Sequence, residues 1–193
     1  MADTPNLAEA VKARGPFAVW DLMGEDDQRA AAAALWTSGD RDARAALELA
    51  VAKELKFRPQ SVRRLGADRV VPRLVRMAST LPDAVLFQFL FHLHLVERRT
   101  LLVEFLDAVG LPHDNGILDL KDETTTPDPE QLRTAAGALL AQHGKPALVY
   151  LATLKVADAE FWSGLDELLA QYGEDGEKLG ERSAPYPPRT QGR

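Results

Sequence analysis

Segment after segment of this chain opens near a proline and closes at a glycine, and that punctuation restricts the fold more than any other feature. Proline suits the first turn of a helix, where its missing N–H has no partner to lose, and glycine suits the position just past the last turn. Thr4-Pro5 can cap and open a first segment that Gly15-Pro16 ends. Asp128-Pro129-Glu130-Gln131 opens a later one that Gly144 stops, Pro146 opens the next through Leu154, and Gly173 ends the last. Punctuation at such spacing predicts helices of about 10 to 15 residues joined by short loops, which pack as antiparallel pairs. The fold class is therefore all-α: an irregular multi-helix bundle of antiparallel helical pairs, with a short α-solenoid-like stack as a variant. No repeat of fixed length aligns along the chain, so a regular array is the minor alternative.

The remaining segments fit that frame. Asp26 or Asp27 can cap a helix through the alanine run to Trp36. Asp40 can cap the next, to about Leu55, with Ala43, Leu47, Ala50, Val51 and Leu55 as an apolar stripe at helical spacing. Pro59 and Gly66 bracket a turn or two around Val62, and Asp68 opens a helix to about Ser79 that tolerates Pro72 near its start.

The centre, 82–109, is ambiguous, because its stretch from Phe87 to Leu95 alternates as a strand would. Helix is the better reading: Pro82-Asp83 is a start signal, and a lone strand would leave backbone groups unpaired in a core. A turn is expected around Glu97-Arg98-Arg99-Thr100, with Thr100 capping a second helix there. Gly110-Leu111-Pro112 stops that helix, and a polar connection runs to Pro127. A final helix capped by Asp158 would put Phe161, Trp162, Leu165, Leu168, Leu169 and Tyr172 on one face. These readings make 1–172 one helical domain. The Gly-, Pro- and charge-rich stretch 173–193 has little to bury and is expected to be a disordered tail.

Composition narrows the chemistry. With no cysteine, disulfides, thiolate zinc sites and cysteine nucleophiles are excluded together. A net charge of −6 opposes general attraction to nucleic acid or anionic lipid. The longest uncharged apolar run, Ala84 to Val96, is too short to span a bilayer, and Met1 to Arg14 lacks a signal-peptide pattern. A cytoplasmic protein without a membrane partner is the expectation. The 16 Arg, 7 Lys and 29 Ala suit a GC-rich bacterial genome.

Candidate reactive groups are few. His92 and His94 lie two apart, about 200° around a helix, and cannot share a metal there. Gln88, His92 and Arg99 read instead as a polar seam. His113-Asp114-Asn115-Gly116 reads as a polar turn, and Asp114, Asp119, Asp122 and Glu123 do not follow the calcium-loop pattern. There is no phosphate loop, dinucleotide fingerprint, nucleophile elbow or zinc-protease motif. No catalytic residue, metal or cofactor is expected, and an enzyme would have to use an unfamiliar helical pocket near His92 or His113. Pro185-Tyr186-Pro187-Pro188-Arg189 reads as a spacer rather than a polyproline ligand.

Charge is distributed unevenly. From Lys53 to Arg76 eight basic residues face two acids, a net of +6; from Glu104 to Glu130, and again from Asp158 to Glu181, eight acids face one lysine, a net of −7 each. Arg63, Arg64, Arg69, Arg73 and Arg76 are the candidate anion- or partner-binding residues, since guanidinium forks match carboxylates and phosphates. The principal expectation is a non-catalytic protein-interaction module, a scaffold, adaptor or oligomeric assembly protein that binds a protein partner or itself. The alternative is a nucleic-acid or anionic-ligand binder using the arginine face, which the lack of interleaved aromatics weakens. The plainest outcome is a face neutralised by the protein's own acids.

Overall fold

Asn6 starts the first helix: its side-chain oxygen accepts from the Glu9 N–H at 3.0 Å, and α1 (Leu7–Arg14) follows. The expected caps Thr4 and Asp40 lie outside the residues that the computed structural model describes, which are 5–39, 41–119 and 126–179. Gly15, at φ 54°, ends α1 and at once starts α2 (Pro16–Leu22). Sequence reading saw the stop there but not the new start. α3 (Glu25–Ser38) enters from Gly24, so Asp26 and Asp27 lie inside its first turn, facing the positive end of the helix dipole, rather than at its cap.

α4 (Arg41–Leu55), α5 (Pro59–Val62) and α6 (Ala67–Met77) follow, and a 3₁₀ turn over Ala78–Thr80 extends α6 as far as the sequence indicates. The alternating centre is helical. α7 (Asp83–Glu97) buries Leu86, Phe89, Leu90, Leu93 and His94, a pattern of threes and ones that only a helix produces. The expected break occurs at Arg98 (φ −131°, ψ 26°), which itself occupies the cap position of α8 (Arg99–Val109) in place of Thr100. The Arg98 guanidinium turns inward and pairs through Nη2 with Asp27 at the start of α3.

Asn115 and Gly116 both adopt positive φ, 49° and 88°, and turn β1 (His113–Asp114) back onto β2 (Ile117–Leu118) as a small antiparallel hairpin. Asn-Gly is the dipeptide such a turn favours. The two strands pair only with each other, so the segment 87–95 has no strand partner among the described residues, as the helical reading requires. α9 (Pro129–His143) is capped as expected, with Asp128 accepting from the Gln131 N–H at 2.9 Å, and α10 (Lys145–Ala157) follows Gly144.

The expected continuous last helix is broken. Asp158 does cap, its Oδ1 accepting from Glu160 and Phe161 N–H groups at 3.1 and 2.9 Å, but a turn, a 3₁₀ segment (Ser163–Leu165) and the short α11 (Asp166–Leu169) follow. Gly164 explains part of this: a Cβ there would lie 2.9 Å from Leu132 Cδ2, so the chain passes too close to α9 for a side chain. Residues 173–179, placed in the tail from the sequence, are bonded back into the fold. Leu179 N–H donates to Gln171 O at 2.7 Å, Gly173 N–H to Glu177 O at 2.9 Å, and Leu7 N–H to Tyr172 O at 2.8 Å. The rest of that stretch, 180–193, lies outside the described residues.

The eleven α-helices among the described residues form an irregular all-α bundle. α7 is covered by α2, α3, α4, α8 and α10; α6 lies on α3 and α4, and α8 on α9. Ala31, Ala32 and Ala34 let α3 approach closely, while Phe89, Phe105 and Trp162 fill the core. No helix among the described residues is long and apolar enough to cross a membrane. Leu93→Ala, emptying a fully buried site on α7, should lower the unfolding free energy by about 3 kcal/mol in urea titrations. Asp128→Ala should cost about 1 kcal/mol in the same assay through loss of the α9 cap.

Candidate functional site

On α6, Arg69, Arg73 and Arg76 share a stripe at spacings of four and three, while Val70, Val71 and Leu74 are buried on the other side. Arg63 and Arg64 follow α5. The structure divides the five. Arg63 Nε donates to Glu48 Oε2 at 2.6 Å, and Arg44 Nε stands 3.7 Å from the other oxygen of that carboxylate, whose side chain is only 5% exposed. Arg73 lies 3.6 Å from Glu54. Arg64, Arg69 and Arg76 are exposed and make no side-chain hydrogen bond or ion pair among the described residues.

Both neutralising acids come from α4, the helix beside the stripe. No ion pair among the described residues joins the basic stretch to either acidic stretch. Those acids pair elsewhere: His143 with Glu104 at 2.7 Å, Lys155 with Asp166 at 2.8 Å, Arg133 with Glu167 at 3.4 Å.

Apolar surface accompanies the arginines. Leu49, on α4, is 62% exposed, and Phe57, just beyond its end, is 52% exposed. Met77, Leu81 and Pro82 line an open cleft of about 630 Å³ between α4 and the end of α6, with Lys53, Glu54 and Arg76 also in its wall. The cleft is thus apolar with charges of both signs, and Arg76 is the one candidate arginine in it.

The histidines point to a second place. His92 approaches Ser38 Oγ on α3 at 3.2 Å, whereas His94 faces α10, so the two do not converge. His113 braces the hairpin: its Nδ1 accepts from the Gly116 N–H at 3.1 Å, and its Nε2 meets Asp107 at 3.0 Å. The pocket that sequence reading sought near His92 or His113 lies at His94 instead. It is a cavity of about 230 Å³ between α7, α8, α10 and the hairpin, with Tyr150, Thr153 and Trp162 also in its wall.

Proton accounting fixes the state of His94. Thr153 Oγ1 donates its single proton to Val149 O at 2.7 Å, so at 3.2 Å from His94 Nε2 it accepts. Nε2 therefore carries the proton and Nδ1 is a bare acceptor. Nδ1 is buried without a partner, as is Arg98 Nη1. Burial, and secondarily the Arg98 charge, lower the His94 pKa from 6.5 to about 3, so the ring stays neutral. Burial pushes the Tyr150 phenol upward, keeping it protonated. The two rings meet edge to face with centroids 5.1 Å apart. Tyr150 escaped sequence reading because α10 is apolar almost all round and gives no face to single out.

Family models, curated proteins and solved structures give no match to this chain.

His94 makes stability depend on pH. An unfolded chain takes up a proton below about pH 6.5, but the folded one refuses it until about pH 3. Its contribution is complete above pH 6.5 and is lost progressively as pH falls through that window. Between pH 7 and pH 5 the loss from this group should be about 2 kcal/mol. Urea titrations of the native chain and of His94→Leu check this, since the variant should lack that part of the slope.

Proposed function

We propose that this protein is a non-catalytic interaction module that docks an acidic, partly apolar segment of a partner protein on the α4–α6 face. The observation that carries the reading is the set Arg64, Arg69 and Arg76, exposed and unpaired among the described residues, together with exposed Leu49 on α4 and exposed Phe57 just after it. Exposed ion pairs contribute only about 0–1 kcal/mol each, so the apolar contacts would supply most of the affinity. The arginines would steer association and set orientation, a salt-sensitive role. Arg63 and Arg73 serve the fold in this reading, with Arg63 holding the buried Glu48 carboxylate.

The nucleic-acid alternative is weaker. Two of its five arginines are already engaged, and the chain carries net charge −6. Three phosphate contacts would give a log–log salt slope of only about −3.

Fluorescence anisotropy with a labelled Glu- and Leu-rich amphipathic peptide, and with a DNA duplex, tests the proposal. The peptide should bind in a salt-sensitive manner, and both Phe57→Ala and the triple Arg64, Arg69, Arg76→Ala variant should weaken it about tenfold. The triple variant should keep its stability within about 0.5 kcal/mol, whereas Arg63→Ala should lose about 1 kcal/mol, since it removes the hydrogen bond to buried Glu48 and leaves only the more distant Arg44. Failure of the peptide to bind, or equal binding by the triple variant, overturns the docking face. Duplex binding in place of peptide binding transfers the face to nucleic acid.

A further inference from the structure

The cavity beside His94 is separate from the arginine face and has the features of a ligand site. Its wall is apolar and aromatic, with Phe87, Phe91, Tyr150 and Trp162 standing among leucines from α8 and α10. No charged side chain lines it, and His94 is neutral. A charged ligand would lose its hydration with nothing to replace it, so the occupant must be neutral. The volume sets its size. Apolar cavities of about 150 Å³ take up benzene; at about 230 Å³ this one has room for a substituted or fused ring.

One polar group that the cavity reaches lacks a partner. The Tyr150 hydroxyl makes no hydrogen bond among the described residues although that residue is only 3% exposed, whereas the bare His94 Nδ1 is sealed off and turns no surface to the cavity. Buried polar atoms in folded proteins are ordinarily bonded, and unsatisfied ones cluster where something else completes them. A free phenolic hydroxyl in an apolar wall calls for a ligand with its own O–H or N–H. Phe91, Ile117 and Ala157 line the cavity and are exposed, which gives it an apolar mouth. Gly116 lets the hairpin close that mouth tightly, since a Cβ there would stand 3.0 Å from Leu102 Cβ.

We propose that the cavity between α7, α8, α10 and the 113–118 hairpin binds a small neutral aromatic molecule bearing one hydroxyl or ring N–H, of the phenol or indole class. Its ring packs among Phe87, Phe91 and Trp162, and its polar group completes the hydrogen bonding of Tyr150.

Thermal unfolding and ¹⁵N spectra of the histidine rings, with phenol, indole, benzene and benzoate as probes, test the site on the full chain. Phenol or indole should raise the melting temperature saturably and move the His94 ring signals, and benzoate should do neither. Tyr150→Phe should weaken phenol about tenfold and leave benzene unchanged. Ala157→Trp and, independently, Ile117→Trp block the mouth from exposed positions and should abolish binding. Absence of any response to millimolar phenol and indole overturns the proposal, as does undiminished binding in both blocked variants. Benzene binding as tightly as phenol overturns the polar recognition and leaves only an apolar void.

Discussion

α7 is apolar nearly all round, and a helix of that kind is stable in water only when neighbours cover most of its surface. Most of the architecture follows from this demand. α3 supplies small alanines along one flank, α2 and α4 close others, and α8 and α10 cover most of the rest, leaving Phe91 and Val96 exposed. The polar groups of α7 that fall on its covered sides must then be accommodated inside. His94 is the result: a ring that cannot reach water, held by one threonine and kept uncharged by its surroundings.

The corner after α7 meets the same constraint differently. Arg98 ends one helix, begins the next and turns its guanidinium into the bundle, where Asp27 answers it. Arg98 is the more buried member of this pair, so removing Asp27 would strand the guanidinium, whereas Asp27 without Arg98 still reaches water. The corner therefore fixes where α8 departs, and with it the wall of the aromatic cavity. Glu48 and Glu54 on α4 act on the arginines in the same way, taking Arg63 and Arg73 out of the exposed set and leaving three to act outward.

Helix type and order were legible in the sequence because Pro, Gly and Asp act locally: Asp128, Gly144 and Pro146 work where they stand. Gly15 was half read, since one residue both stops and starts a helix. The broken end after Asp158 was not legible, because Gly164 is dictated by Leu132, far away in the chain. For the candidate sites the division is similar. Helical spacing revealed the stripe of Arg69, Arg73 and Arg76, but not which arginines are engaged, which depends on where tertiary packing buries Glu48. His94, Gly116, Tyr150 and Trp162 come from four separate elements, and no local pattern brings them together. His92 and His113 drew attention because they are conspicuous in sequence, while the structure commits His113 to a hairpin and directs His92 towards α3.

The alanine-lined contact between α3 and α7 carries a consequence for how such a chain can diverge. Leucines on α7 can be exchanged for other side chains of similar volume with modest loss, because cores tolerate repacking at constant size. Ala31 and Ala32 have no such freedom, since both are fully buried and any larger residue must push two helices apart. Drift in related chains would thus be permissive at the large residues and strict at the smallest ones, so the least conspicuous letters of the alanine run would be the most durable record of this fold.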